Sequence, residues 1–270
     1  PDGGHVSRSP HILIELMLDL LPVRQCFAAR RRSLPEGLER TMERMVGMLV
    51  HLSHRDGSLA RFNGMGVTPA DAVATILAYA DPGPAATGLA AHSRYARLAI
   101  GSTTVITDVG GPPPLLHAGA AQAGCLSFEL SSDASAVIVN CGAVSPSMAA
   151  WHAVSRSTSS HSTLSVRERS SSVLVATDAV LRELGAAALR FPSKVTAELA
   201  ARDGWAELVA SHDGYLADLG VMHQRRLVLS ADGGRLDGED SLGPPRGELR
   251  LSYDLPFAIH FHLGPTVTAR

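Results

Sequence analysis

Apolar positions recur at helical spacing over residues 1–90, whereas the remainder carries short runs in which apolar and polar positions alternate. Ser9 stands as a cap ahead of Pro10, and Ile12, Leu16, Leu20 and Val23 then fall on one side of a first helix. A second helix is predicted over 34–53, begun by Ser33 and Pro35, with Leu38, Met42, Met45, Met48, Leu49 and Leu52 on one face. Thr68 caps a third over 69–79. From Tyr95 onward the grammar is that of strands: "RLAIGSTTVITDVG", "CLSFELSS", "SAVIVNCG", "HSTLSVRE", "SSVLVAT", "KVTAELAAR", "WAELVASH", "QRRLVLSADG", "GELRLSY" and "PFAIHFHLG". Gly, Asp, Ser and Pro punctuate these runs as in an antiparallel sandwich. His212-Asp213-Gly214 and Glu239-Asp240 read as turns closing its hairpins. The boundary falls between a helical part, 1–90, and a strand-rich part, 91–270. Without βαβ alternation or a glycine-rich phosphate loop, a dinucleotide-binding domain is not expected.

Composition narrows the function classes. The 270 residues carry a formal net charge of −2, and the basic residues are scattered arginines apart from Lys194, so no footprint for nucleic acid is present. No apolar run reaches the roughly 18–20 residues of a membrane span. The best stretch, 12–21, is broken by Glu15 and Asp19. Cys26, Cys125 and Cys141 are too few and too unpatterned for a disulfide scaffold or zinc cluster and are expected as buried free thiols. The chain opens with "PDGGHVSRSP", a motif-like loop, so the natural N-terminus is expected upstream and the helices are expected to end a larger helical array. Met42, Met45 and Leu49 would then lack partners.

The ordered motifs "DGGHVSRSP", "FNGMG", "SRYARL", "AGCLSFELSS", "VIVNCG", "SHSTLSV", "SHDGY", "RRLVLSADGGRLDGED" and "PFAIHFHLGP" together resemble the bacterial heparinase II/III family of polysaccharide lyases over essentially the whole chain. The resemblance implies a multidomain α+β protein: the C-terminal helices of an incomplete (α/α) toroid, then a large antiparallel β-sandwich. It implies cleavage of uronic-acid-containing glycans by β-elimination, which needs a neutralised carboxylate, a base for the α-carbon proton and an acid for the leaving oxygen. His5, in the "GGH" motif, is then the acid/base candidate, with Arg8 and Asn63 to neutralise the carboxylate. His11, Phe62 and His161 are candidate substrate contacts.

Two departures stand out. The family's catalytic tyrosine would fall near "RFNGMG", which holds Phe62 instead; among Tyr79, Tyr95, Tyr215 and Tyr253, Tyr95 is the best substitute. Some relatives bind a structural zinc, but Gln122 and Gly124 stand where its histidine and aspartate would be, leaving His161. No cofactor is therefore expected. His260 and His262, two apart on a strand, either chelate a metal or form a polar sheet face; Trp151 and Trp205 either stack on sugars or pack. No Gly-x-Ser-x-Gly elbow supports nucleophilic catalysis. The expected partner is an acidic polysaccharide or oligosaccharide, met in the cell envelope or periplasm by family habit. The rival readings are a catalytically silent glycan-binding or envelope-scaffold protein retaining the lyase fold, and a glycoside hydrolase on a similar frame.

Overall fold

The computed structural model describes residues 1–80, 85, 87–145, 147–185, 187–190, 192–202, 204–244 and 254–269. Helix α1 (Pro10–Ala29) starts where Ser9 accepts the Ile12 N–H, as its sequence predicts. Its buried face is shifted by about one residue: Leu13, Ile14, Met17 and Leu21 point inward, while Val23 is exposed. The run is apolar nearly all round, so spacing alone could not choose the face; packing against two neighbours did. Helix α2 (Glu36–His51) buries Met42, Met45, Val46, Met48 and Leu49 against α1. The exposure expected for Met42, Met45 and Leu49 is thus incorrect, because α1 and α3 (Ala70–Ala78) close over them. Thr68 does not cap α3; its hydroxyl accepts from the Leu59 N–H and ties the preceding loop.

The strand-rich part begins with β1 (Gly88–Ala90), β2 (Tyr95–Ile100), β3 (Thr103–Asp108), β4 (Phe128–Ser132) and β5 (Ser135–Val139). It continues through α4 (Ala149–Ser155), β6 (Leu164–Val166), β7 (Val173–Val175), α5 (Asp178–Leu184), β8 (Ala188–Arg190), β9 (Val195–Arg202) and β10 (Trp205–His212). It closes with α6 (Leu216–Leu219), β11 (Met222–Leu229), β12 (Leu236–Gly243), β13 (Phe257–Ile259) and β14 (His262–Leu263). One antiparallel sheet runs β1-β2-β3-β4-β5-β14, and a second runs β12-β11-β10-β9. Small two-stranded pieces, β13-β6 and β7-β8, complete the part. The two large sheets bury a shared core in which Leu98, Val105 and Phe128 meet Leu208, Leu227 and Leu229. Along β10 burial alternates strictly, the signature of one face in the core and one toward solvent.

One turn assignment fails: Glu239 and Asp240 lie inside β12, where Asp240 pairs with Arg225 of β11. A buried partner overrides the low strand propensity of an acidic, glycine-containing segment. Asp213 and Gly214 do leave β10 in its connection to β11, although His212 itself ends the strand fully buried. Cys125 is a buried free thiol as expected, but Cys26 and Cys141 are exposed. The "GELRLSY" run, the "DPGPAATG" loop and Tyr253 lie wholly or largely outside the described residues.

Candidate functional site

The opening loop places His5 and Arg8 in opposite surroundings. The Arg8 N–H donates to the His5 carbonyl, and Arg8 takes a φ of 59°, a left-handed turn that sends its side chain down into the seam between helices and sheets. There Nε donates to the Ser93 carbonyl at 2.9 Å, Nη1 to Gly111 at 2.9 Å and Nη2 to Arg94 at 3.1 Å. Nη2 also makes a close ion pair with Asp108, whose Oδ1 accepts from the Gly110 N–H. Burial opposes the charge on Arg8, and Asp108 overcomes it and pushes the guanidinium up. Gly110 is required here: a Cβ would sit 2.4 Å from the Arg8 Cζ.

Asn63 and Tyr95 belong to the same buried network. The Asn63 amide Nδ2 donates to the Tyr95 hydroxyl at 2.8 Å and to Asp108 Oδ2 at 3.1 Å. The Tyr95 hydroxyl donates onward to the Arg8 carbonyl. Its ring is 1% exposed, stacks on Phe62 and lies under the Arg8 guanidinium at 4.8 Å. Burial pushes the Tyr95 hydroxyl well up despite the nearby Arg8 charge. Phe62 is itself fully covered. The structure therefore does unite Arg8, Asn63, Phe62 and Tyr95, but as a packed hub whose polar groups are satisfied by one another.

His5 lies partly exposed above this hub. The Ser7 N–H and hydroxyl both approach its Nδ1, at 3.2 and 2.7 Å, while Ser7 Oγ accepts from the Ser9 N–H. Nδ1 is thus an acceptor and the proton sits on Nε2, an assignment drawn from the hydrogen-bond network. Burial and the neighbouring His117 push the imidazole down, so it is neutral at neutral pH. His117 faces it edge-on, ring centroids 5.8 Å apart, from a short 3-10 turn at Leu115–His117. Sequence reasoning missed His117; its only signal was a histidine in "PPPLLHAGA". His11 is turned away, exposed on α1 and paired with Glu15 at 3.3 Å.

His161 is buried. Its Nδ1 donates to the Ser157 carbonyl at 2.8 Å and burial pushes it down to about 4, leaving Nε2 a lone pair with no partner. That orphan tests the zinc site implied by the resemblance. A side chain at Gly124 would begin 2.8 Å from the His161 Cδ2, so the place of one ligand is filled by the ring itself. Gln122 is engaged by the Gly64 N–H and the Ser155 carbonyl. Burial holds Cys125 as the neutral thiol. One imidazole does not fit zinc, and among the described residues no three His, Cys, Asp or Glu gather as a ligand set. His260 and His262 flank the gap between β13 and β14, their rings stacked at 6.3 Å. Trp151 is 62% exposed on α4, and Trp205, at the start of β10, is half-buried.

Residues 82–270 match the model of the heparinase II/III-like C-terminal family. The FtsZ-localized protein C of Caulobacter vibrioides is 36% identical across 99% of this chain, which spans 46% of that protein. A heparinase III gene product superposes with a TM-score of 0.67 at 15% identity, covering 93% of this chain and 42% of its own. The heparan sulfate lyase HepC of Pedobacter heparinus superposes with a TM-score of 0.61 at 16% identity, covering 86% and 37%. The chain thus spans less than half the length of each of these relatives.

Proposed function

We propose, because this chain belongs to the heparinase II/III-like family, that it recognises an acidic glycan with a lyase fold but without the lyase's proton-transfer machinery in these residues. The commitment of Arg8 and Tyr95 to each other's neighbourhood carries this reading. A guanidinium bound to three carbonyls and a carboxylate has no face left for a uronate, and a covered, strongly acid-weakened phenol neither takes nor gives a proton at neutral pH. His5 retains one outward function. With Nδ1 occupied by Ser7, its Nε2–H donates, which suits holding a carboxylate or hydroxyl rather than abstracting a proton. His117 supplies a second imidazole beside it. The relative from Caulobacter vibrioides is named for localization to FtsZ. By extension, we propose that this protein too localizes with FtsZ.

Elimination remains the second reading, because two imidazoles facing each other edge-on, one partly and one largely exposed, are an arrangement an acid/base step would use. One experiment separates the two. The protein is mixed with a panel of uronate-containing glycans while binding is followed by calorimetry and unsaturated uronate by ultraviolet absorbance. Saturable binding with a flat absorbance trace, weakened in His5→Ala, is expected. An absorbance rise that His5→Ala abolishes would overturn the silent reading in favour of the lyase.

A further inference from the structure

The second large sheet ends in β9, and that edge is unusually plain. Its eight residues, Val195–Arg202, hold no proline, no glycine and no bulge, and all of them run in register with β10. The ladder assigns the two sides of the β9 backbone. The Asp213 N–H donates to the Lys194 carbonyl at 3.2 Å, and in an antiparallel strand the residues bonded to one neighbour alternate with those that are not. Thr196, Glu198, Ala200 and Arg202 therefore bond to β10, while Ala197, Leu199 and Ala201 turn their N–H and C=O groups to the open side. Among the described residues nothing bonds to those three on that side. At Val195 the edge is closed, because Arg94 Nη2 donates to its carbonyl at 3.0 Å. An edge left this regular is a template for another strand; chains that stay single blunt theirs with proline, a bulge or a covering loop.

The charges along this edge choose the partner. Glu198 and Arg202 are both exposed on the outer face, and neither has an ion-pair partner among the described residues. Four residues apart on an extended strand, they are separated by about 13 Å and cannot answer each other within one chain. Pairing with the β9 of another copy requires the open-side residues to face one another, which leaves few registers. Leu199 opposite Ala197 sets Glu198 against Glu198 and Ala201 against Val195, whose carbonyl Arg94 already holds. Leu199 opposite itself sets Glu198 against Ala200 and Arg202 against Thr196, with neither charge answered. Leu199 opposite Ala201 puts Ala200 on the two-fold axis and each Glu198 directly across from the Arg202 of the other copy. Both ion pairs then fall at non-hydrogen-bonded positions, where facing side chains come closest.

We propose that β9 is a self-association edge: two copies of this chain join β9 to β9 antiparallel, Glu198 of each facing Arg202 of the other, and their four-stranded sheets become one continuous sheet. The inference uses no residue of the His5–His117 pair and stands apart from the glycan reading. Sedimentation equilibrium of the full chain over a concentration series tests it, and a reversible dimer is expected. Glu198→Arg and Arg202→Glu should each raise the dimer dissociation constant at least about tenfold, because each sets like charges across the axis twice. Melting temperatures measured on the dilute monomer should stay at the wild-type value, since both positions are exposed. The double variant Glu198→Arg/Arg202→Glu restores both opposite-charge pairs in exchanged positions and should recover the wild-type constant. That recovery is the outcome a loss of folding could not imitate. A wild-type chain that stays monomeric overturns the proposal, as does a dimer indifferent to both single variants, or a double variant weakened as much as the singles.

Discussion

Among the described residues two buried arginine–aspartate pairs stand out, and they differ in what surrounds them. At the helix–sheet seam, Arg8 and Asp108 are boxed in by backbone carbonyls, a backbone N–H, an amide and a phenol. Inside the sandwich, Arg225 grips Asp240 with two bonds of 2.8 Å, but Asp240 also accepts from His223 at 2.7 Å, and His223 in turn meets His212 at 3.2 Å. Both histidines are fully buried. Since the Gly214 N–H donates to His212 Nδ1, the chain of bonds runs His212 Nε2–H to His223 and His223 Nε2–H to Asp240, with both rings neutral. The sandwich pair therefore carries two histidines that burial keeps uncharged, while among the described residues no histidine bonds to either member of the seam pair. The two ion pairs differ in contact as well, one arginine nitrogen on Asp108 against two on Asp240, and should differ in their response to acid.

The sharpest way to break the comparison is to remove one member of the seam pair. Arg8→Met leaves Asp108 buried without its cation and should cost about 3–5 kcal/mol in chemical denaturation. Gly110→Ala should act in the same direction by displacing the Arg8 head. Recovery of part of that loss in Arg8→Met/Asp108→Asn would confirm that the penalty is an uncompensated charge.

Acid sharpens it next. Burial pushes His212, His223 and His161 below their ordinary values, His161 to about 4, so the unfolded chain binds protons that the folded chain refuses. Stability should be full above about pH 6.5 and fall steadily as pH drops from there toward 4. Asp240 adds a later loss: burial opposes its ionisation, but bonds from His223 and Arg225 bring it down to about 2, and that contribution fades below about pH 4. His223→Gln should flatten the first phase of a melting-temperature profile against pH; an unchanged slope would remove this relay as its cause.

Smaller effects follow at the seam. Tyr95→Phe strands Asn63 and the Arg8 carbonyl without a shared hydroxyl and should cost about 1–2 kcal/mol while leaving glycan affinity intact. A loss of affinity larger than that destabilisation explains would return Tyr95 to the binding site. His5→Ala, at a partly exposed position, should change stability by less than about 1 kcal/mol and act on binding alone.

Much of the architecture was legible because it rests on local rules. Ser9-Pro10 begins α1, the methionine stripe marks α2, and alternation marks β10 and β11. Two strands of the large sheets were missed: β1, only three residues long, and β12, which reads "LDGEDSLG", a polar segment made a strand by pairing along β11. The candidate residues were legible in part as neighbours, with His11 and His161 lying apart from the rest, but not by orientation. Arg8, Asn63, Phe62 and Tyr95 do come together, yet nothing in "HVSRSP" distinguishes an arginine facing a groove from one plunging into a seam. His117 could not be found because its relation to His5 exists only across the fold.

What the sequence determined by itself was periodicity: where helices start, which runs alternate, and that neither charge nor apolar length suits nucleic acid or a membrane-crossing helix. What only the tertiary structure decided was the direction of each polar side chain. That choice depends on which distant carbonyls and carboxylates lie within about 3 Å, because a buried polar group must find a partner and no local pattern encodes one more than a hundred residues away.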